Sequence, residues 1–169
     1  MTEPENIRLV IVKIDTSEPG LYGIGCATFT QRPTTVAAAV NDYLRPFLIG
    51  RNVADIEDIW QSSYVSSYWR NGPVLNNALS GVDQALWDIK GKALGVPLYE
   101  LLGGKLRDRI RVYGHASSPK GAEDLMARGY TAFKCGPSVS TLKELREAVG
   151  YDVETVSYTH LTLPTNREV

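Results

Sequence analysis

The chain has 169 residues and a formal net charge of -1, from 18 basic and 19 acidic residues. The sequence has no stripe of basic residues, which argues against binding to nucleic acid or to an anionic membrane. A small-molecule ligand is therefore favoured. Two cysteines, Cys26 and Cys135, are too few for a disulfide framework and too far apart for a zinc site, so we expect a reducing, cytoplasmic location. The sequence shows neither a signal-peptide pattern nor an apolar run long enough to span a membrane, and we expect a protein that is neither exported nor membrane-spanning.

The first predicted element is a β-hairpin. β-Branched residues predict strands over 7–14 and 22–28, and Pro19-Gly20 suits the centre of the turn that joins them. From Thr34, a residue that can cap a helix, apolar residues recur at helical spacing. The sequence therefore predicts a hairpin followed by a first helix.

Two further helices complete the first half. One is predicted over 54–68, and the next ends at Gly95. The second of these carries a single apolar stripe, which predicts the core of the domain: Leu79, Val82, Leu86, Ile89 and Ala93. A strand pair followed by helices predicts an α+β domain.

After Gly103-Gly104 strands and helices alternate. Strands are predicted over 110–115 and 131–135, and helices over 121–128 and 141–149. Thr141 with Glu144 three residues later has the spacing of a capping box. The alternation predicts parallel strands, and two strands with two helices do not close a core. We therefore expect an incomplete second half with uncovered apolar side chains at Leu125, Met126, Leu142 and Leu145.

Three segments carry a family resemblance. They are Ser-Tyr-Trp-Arg-Asn-Gly-Pro at 67–73, Ser-Gly-Val-Asp-Gln-Ala-Leu-Trp-Asp-Ile-Lys-Gly-Lys at 80–92 and Pro-Leu-Tyr-Glu-Leu-Leu-Gly-Gly at 97–104. Together with Val-Tyr-Gly-His-Ala at 112–116, they resemble the mandelate racemase branch of the enolase superfamily, and especially its mannonate dehydratase-like sugar-acid dehydratases. The resemblance runs from about residue 6 to 154. Within it we interpret Asp83, Trp87 and Asp88 as residues that dock the domain onto a barrel rather than as catalytic groups.

The resemblance implies a fold and a division of the chain. Residues 1–104 would be an α+β capping domain, a β-hairpin or meander with a helical bundle. Residues 105–154 would be the first βα units of an incomplete (β/α)8 barrel, and residues 155–169 a tail unrelated to the family. A full barrel takes about 250 residues. We therefore expect a truncated chain that is catalytically incomplete.

The resemblance also implies the chemistry. In such enzymes magnesium, held by three carboxylates, stabilises the enediolate that forms when a base removes the proton α to a sugar acid's carboxylate. Loss of the β-hydroxyl then gives a 2-keto-3-deoxy acid. The metal ligands and the base lie on later strands, so we expect this chain to hold no metal ligands. Full-length relatives are expected to be homo-oligomers.

Three residues match the family's site. His115, at the end of the first barrel-like strand, corresponds to a histidine that contacts substrate. Thr30 lies in the loop that covers the active site, where mannonate dehydratases have an asparagine, so specificity for mannonate is not implied. Lys134 ends the second strand and is the catalytic candidate, since it would neutralise charge that develops on the carboxylate. Gly136 replaces the second lysine of the superfamily's Lys-x-Lys pattern, which excludes a lysine base there.

Two other interpretations compete with a dehydratase fragment. A stand-alone α+β binding or oligomerisation module would use the same domain without chemistry. A small metalloenzyme would need Asp152, Glu154 and His160 to converge, and we reject it because the family match is lost after Glu154. The sequence leaves open which sugar acid is the substrate.

Overall fold

The computed structural model describes residues 9–136 and 138–157, and the chain divides after Leu106 into two compact units. The predicted domain boundary, after Gly104, lies two residues earlier. Among the described residues, no helix combines the length and the apolar character needed to cross a membrane.

The first unit begins with the predicted hairpin. Strand β1 (Ile11–Asp15) pairs antiparallel with strand β2 (Tyr22–Cys26). The Leu21 N–H donates to the Glu18 carbonyl oxygen at 3.1 Å, which closes a turn around Pro19-Gly20. The hairpin and its turn are confirmed.

The first predicted helix is in fact three consecutive helical segments. Helix α1 (Pro33–Ala38) leads into a π-helical segment (Ala39–Leu44) and then into helix α2 (Arg45–Leu48). Pro46 has no N–H to donate to the Asp42 carbonyl four residues earlier, and in a regular α-helix its ring would clash with that group. The wider π turn accommodates the proline.

The start of α1 also differs from the prediction. The helix begins at Pro33, with Arg32 at the N-cap position and no side chain accepting a capping hydrogen bond. A proline at the first position has the helical φ already fixed and lacks an N–H that would go unpaired. Thr34, predicted as the cap, therefore lies inside the first turn.

Helix α3 (Ile56–Tyr64) is shorter than the predicted 54–68. The Ser66 hydroxyl donates to the Ser63 carbonyl oxygen at 2.7 Å, and the Ser67 hydroxyl donates to the Trp69 carbonyl oxygen. Serine side chains that bond to nearby backbone compete with helical hydrogen bonds. Helix α3 consequently ends before this serine-rich loop.

Helix α4 (Gly72–Leu94) is the centre of the first unit, and the short helix α5 (Leu98–Leu101) follows it. Its predicted stripe is buried at four positions: Leu79, Val82, Leu86 and Ile89. Ala93 was wrongly included, because it is exposed near the end of the helix.

The hairpin lies directly on α4, and two glycines of β2 make this possible. A Cβ atom built on Gly23 would lie 1.9 Å from the Ala85 carbonyl oxygen, and one on Gly25 would lie 1.9 Å from the Gly81 carbonyl oxygen. No side chain fits at either position, so the strand and the helix backbone approach closely.

The second unit contains three parallel strands in the order β3 (Gly114–His115), β4 (Ala132–Lys134) and β5 (Glu154–Val156). Helices α6 (Pro119–Ala127) and α7 (Val139–Val149) form the two connections. The predicted parallel pairing is confirmed, and β5 adds a third strand to the two barrel-like strands that were predicted.

Two predicted boundaries in this unit are corrected. The strand predicted over 110–115 is shorter in the structure, because among the described residues only Gly114 and His115 pair in register with β4. Helix α7 begins at Val139 and is capped by Ser138, whose hydroxyl accepts from the Thr141 N–H at 3.3 Å. Ser138, and not Thr141 as predicted, is therefore the capping residue.

The second unit has its own buried core. Phe133 is fully buried, and Cys135 and Leu145 are buried with it. Leu125 and Leu142 pack against this core while Met126 is exposed, so the expectation of four uncovered apolar side chains is wrong for Leu145 and holds for Met126. The third strand explains the difference, because it completes a sheet on which the helices pack.

Candidate functional site

The candidate site lies at the carboxyl ends of two neighbouring strands. His115 is the last residue of β3 and Lys134 is the last residue of β4, and the two are partners in the parallel ladder. Neighbouring strands lie about 4.8 Å apart, and directly opposed residues project from the same face of a sheet. The structure therefore brings His115 and Lys134 side by side.

Local packing holds the pair in position. A Cβ atom built on Gly114 would lie 2.6 Å from a Leu125 methyl carbon, so a larger residue at this position would displace the Leu125 side chain. The next residue, Ala116, is buried and donates its N–H to the Lys134 carbonyl oxygen at 3.0 Å. These contacts fix the strand end from which His115 projects.

The pair combines a cation with a group that can donate or accept a hydrogen bond. Lys134 is half-buried and His115 is exposed. A lysine side chain has three N–H donors and no acceptor, and an imidazole ring nitrogen can donate or accept a hydrogen bond. The strand ends can therefore attract a carboxylate and hydrogen-bond a hydroxyl group.

Thr30, the third predicted site residue, belongs to the first unit. It is exposed in the loop between β2 and α1, and its hydroxyl donates to the Gln31 side-chain oxygen at 3.2 Å. Arg32 donates to the Gln31 carbonyl oxygen at 2.6 Å. The loop thus carries hydroxyl, amide and guanidinium groups that are exposed to solvent.

At the amino ends of β3, β4 and β5, the side chain of Arg111 connects the three strands. The Arg111 guanidinium forms an ion pair with Glu154 at 2.6 Å and donates to the Thr131 carbonyl oxygen at 3.1 Å. Arg111 precedes β3, Thr131 precedes β4 and Glu154 begins β5. This ion pair stabilises the edge of the sheet opposite His115 and Lys134.

The same ion pair argues against a metal site at the end of the chain. The Glu154 carboxylate, one of the three groups in the rejected metalloenzyme hypothesis, bonds to Arg111. Asp152 is exposed, and His160 lies outside the described residues. Across residues 9–136 and 138–157, no three His, Cys, Asp or Glu residues are grouped closely enough to hold a metal ion.

Three polar residues of α4, four positions apart, pair with the outer edge of β2. The Asp88 carboxylate accepts from the Ile24 N–H at 2.9 Å, and Gln84 accepts from the Cys26 N–H at 3.1 Å. Lys92 donates to the Tyr22 carbonyl oxygen at 2.9 Å. Because an unpaired strand edge is a template for association, these side chains stabilise the hairpin as a two-stranded unit.

Two aspartates of α4 have opposite electrostatic environments. Lys92, which donates to Asp88 at 2.6 Å, lowers the pKa of that carboxyl, and the Ile24 N–H also favours its charged form. Burial raises the pKa of Asp83, and the nearby negative charge of Glu57 raises it further. Asp88 is therefore a structural anion, whereas the charge of Asp83 is unfavourable in the folded state.

The roles of Gln84, Asp88 and Lys92 were not predicted. Their spacing of four residues places them in one column of the helix, and that regularity was visible in the sequence. What they contact depends on how the hairpin lies across α4, which the helix periodicity does not specify. The Asp88 carboxylate bonds to β2 and to Lys92 within the first unit, and its interpretation as a barrel-docking residue stays a prediction.

The fold and the strand-end pair define a class of protein: an α+β capping domain of the enolase type followed by parallel βα units. The chain belongs to the family of the mandelate racemase / muconate lactonizing enzyme N-terminal domain, which it matches over residues 1–103.

Relatives agree with this assignment. The chain is 58% identical over 144 residues to the D-galactonate dehydratase family member RspA of Pantoea ananatis, a match that covers 80% of this chain and 34% of that protein. It is 64% identical over 116 residues to a D-galactonate dehydratase family member of Enterocloster bolteae, covering 69% of this chain and 29% of the relative. The chain thus spans about a third of the length of the curated relatives it matches.

Solved structures give the same fold. An enolase from Pantoea ananatis, crystallised with bound D-gluconate and Mg, has a TM-score of 0.79 and 42% identity, covering 88% of this chain and 49% of that one. An enolase protein from Sargasso Sea environmental sequencing has a TM-score of 0.74 and 34% identity, covering 92% of this chain and 48% of that one. These similarities confirm the predicted superfamily and the predicted capping domain.

Proposed function

We propose that this chain supplies the capping domain and the first strand ends of a sugar-acid dehydratase. The observation that carries the proposal is the pairing of His115 with Lys134 at the carboxyl ends of adjacent parallel strands. In barrels of this type the chemistry lies at that end of the strands. The Pantoea ananatis structure with D-gluconate and Mg supports a sugar acid as the substrate class.

The proposed reaction removes the proton α to the carboxylate and then the β-hydroxyl as water, and tautomerisation of the resulting enol gives a 2-keto-3-deoxy acid. Lys134 would bind the substrate carboxylate and neutralise the negative charge that develops on it. His115 would hydrogen-bond a hydroxyl or the carboxylate, and Thr30 would contact the sugar chain from the capping loop. Which of gluconate, galactonate and mannonate is the substrate stays open.

Magnesium does not fit the groups that the structure describes. Among residues 9–136 and 138–157, no three His, Cys, Asp or Glu residues lie close enough together to hold a metal ion. We propose that the metal ligands and the base come from sequence corresponding to the part of the curated relatives that this chain does not cover, so that the chain alone would be inactive.

Two experiments test this proposal. Purified chain, incubated with each of the three sugar acids and magnesium, is expected to show neither dehydration nor saturable magnesium binding. Turnover that vanishes with EDTA and returns with magnesium would contradict the proposed incompleteness.

A chimera tests the site residues. Residues 1–154 of this chain, joined to the remaining two thirds of the Pantoea ananatis relative, are expected to dehydrate a sugar acid. In that chimera Lys134→Gln should lower kcat by about a hundredfold or more, whereas Lys120→Gln, an exposed lysine on α6, should leave it unchanged. A folded chimera that binds no sugar acid would favour the non-catalytic binding or oligomerisation module.

A further inference from the structure

The first unit contains a cavity that the proposed dehydratase site does not use. It has a volume of about 390 Å³ and lies between the α1–α2 segment, α3 and the start of α4. Its walls are mainly aromatic and aliphatic, including Tyr43, Phe47, Tyr64, Trp69 and Leu75. Thr30, His115 and Lys134 are not among its lining residues. A volume of this size is within the range of small-molecule pockets.

A buried hydroxyl in the wall lacks a hydrogen-bond partner. Ser63 is 7% exposed and lines the cavity, and within the described part of the chain its Oγ atom has no partner. Buried polar groups in native proteins are almost always paired, and a buried group without a partner calls for an explanation. The Oγ atom lies just below the cavity surface, so a polar atom of a bound ligand would become its partner through a small shift of the neighbouring side chains.

The rim of the cavity carries positive charge on an anchored loop. Arg70 and Asn71 line the cavity, and the Arg70 guanidinium lies 5.9 Å from the centre of the Tyr64 ring. The Tyr64 hydroxyl donates to the Asn71 side-chain oxygen at 3.0 Å, while Asn71 has a φ of 73°. The hydrogen bond between the Tyr64 hydroxyl and the Asn71 side chain, together with the positive φ of Asn71, holds this loop against α3. The cavity therefore exists before any ligand binds.

We infer that this cavity binds a small aromatic monocarboxylate. Among the described residues that line the cavity, Arg70 is the one with a charged side chain, which selects a single anionic group. The aromatic and aliphatic side chains that make up most of the walls select a flat apolar body. The lining includes none of Thr30, His115 and Lys134, and the inferred ligand class differs from the sugar acid proposed for those residues.

The test uses benzoate as the probe, benzamide as its neutral isostere and gluconate as a carboxylate without an apolar body. Two-dimensional NMR of the three tryptophan indole N–H groups locates binding, because Trp69 lines the cavity and Trp87 does not. Benzoate is expected to bind saturably and to shift the Trp69 signal, assigned with Trp69→Phe, while the Trp87 signal stays in place. Benzamide should bind about tenfold more weakly, since it lacks the charge, and gluconate should not compete.

Two variants identify the polar contacts. Arg70→Gln should raise the Kd of benzoate about tenfold or more, whereas Arg128→Gln, a matched guanidinium lying over Tyr130 in the second unit, should leave it unchanged. Ser63→Ala should raise the Kd about threefold or more without lowering the stability of the free protein, and Ser62→Ala serves as its control on the same helix. An unsaturable titration with wild-type chain, or an unchanged Kd in Arg70→Gln, would overturn the inference.

Discussion

Replacing Leu86 by alanine tests whether α4 is the core of the first unit. Leu86 is 2% exposed and belongs to a buried cluster with Val82 and Ala85. Truncating a buried leucine costs about 2–5 kcal/mol, and the cost is largest where the surroundings cannot collapse into the cavity. The close approach of β2 to the α4 backbone at Gly23 and Gly25 leaves little room for such a collapse. We therefore expect a loss of about 3 kcal/mol in the free energy of unfolding.

Tryptophan fluorescence measures this loss in the first unit alone. The three tryptophans are Trp60, Trp69 and Trp87, and all belong to the unit that ends at Leu106. With a urea dependence of about 2 kcal/mol per molar, the unfolding midpoint should fall by about 1.5 M. Fluorescence thus separates a weakened capping domain from changes in the second unit.

Leu94→Ala is the matched control, because it is the same substitution at the exposed end of the same helix. Leu94 is 59% exposed, and its truncation should change the stability by less than about 0.5 kcal/mol. Equal losses in the two variants, or a loss below about 0.5 kcal/mol for Leu86→Ala, would refute the argument that this stripe is the core.

The other predictions concern pH and local stability. Asp88 has a lowered pKa in the folded state, so its stabilising charge is present at neutral pH and is lost as the pH falls below about 4. Asp88→Asn should therefore lower the urea midpoint at neutral pH and not in acid. Asp83 has a raised pKa, so Asp83→Asn should leave the midpoint unchanged or raise it at neutral pH, and two variants that behave alike would contradict these assignments. In amide hydrogen exchange, α4 should be better protected than the two- and three-residue strands β3, β4 and β5. Uniform high protection across both units would show that the second unit is as stable as the first.

Features specified by local chemistry were predictable from the sequence. The Pro19-Gly20 turn and the apolar stripe from Leu79 to Ile89 depend on residues that are close together along the chain. The parallel pairing of β3 with β4 followed from the alternation of strands and helices. His115 and Lys134 were predicted as separate site residues, and the parallel pairing of β3 with β4 places them next to each other.

Features that depend on competing contacts were not predictable in the same way. Both Thr141 and Ser138 are good capping residues, and the choice between them depends on where α7 meets the sheet. The early end of α3 depends on serine hydroxyls that bond to the backbone, which periodicity does not report. The cavity around Ser63 needs three helical segments to meet, and no linear motif encodes that meeting.

The two ends of the strands in the second unit carry different kinds of side chains. At the amino ends, Arg111 bonds to Thr131 and Glu154, and the charges of this ion pair satisfy each other. At the carboxyl ends, His115 and Lys134 are neighbours in the ladder between β3 and β4, and they are the residues that we propose bind a sugar acid. In barrels of this type the chemistry lies at that end of the strands. The Arg111–Glu154 ion pair and the proposed site therefore occupy opposite ends of the same sheet.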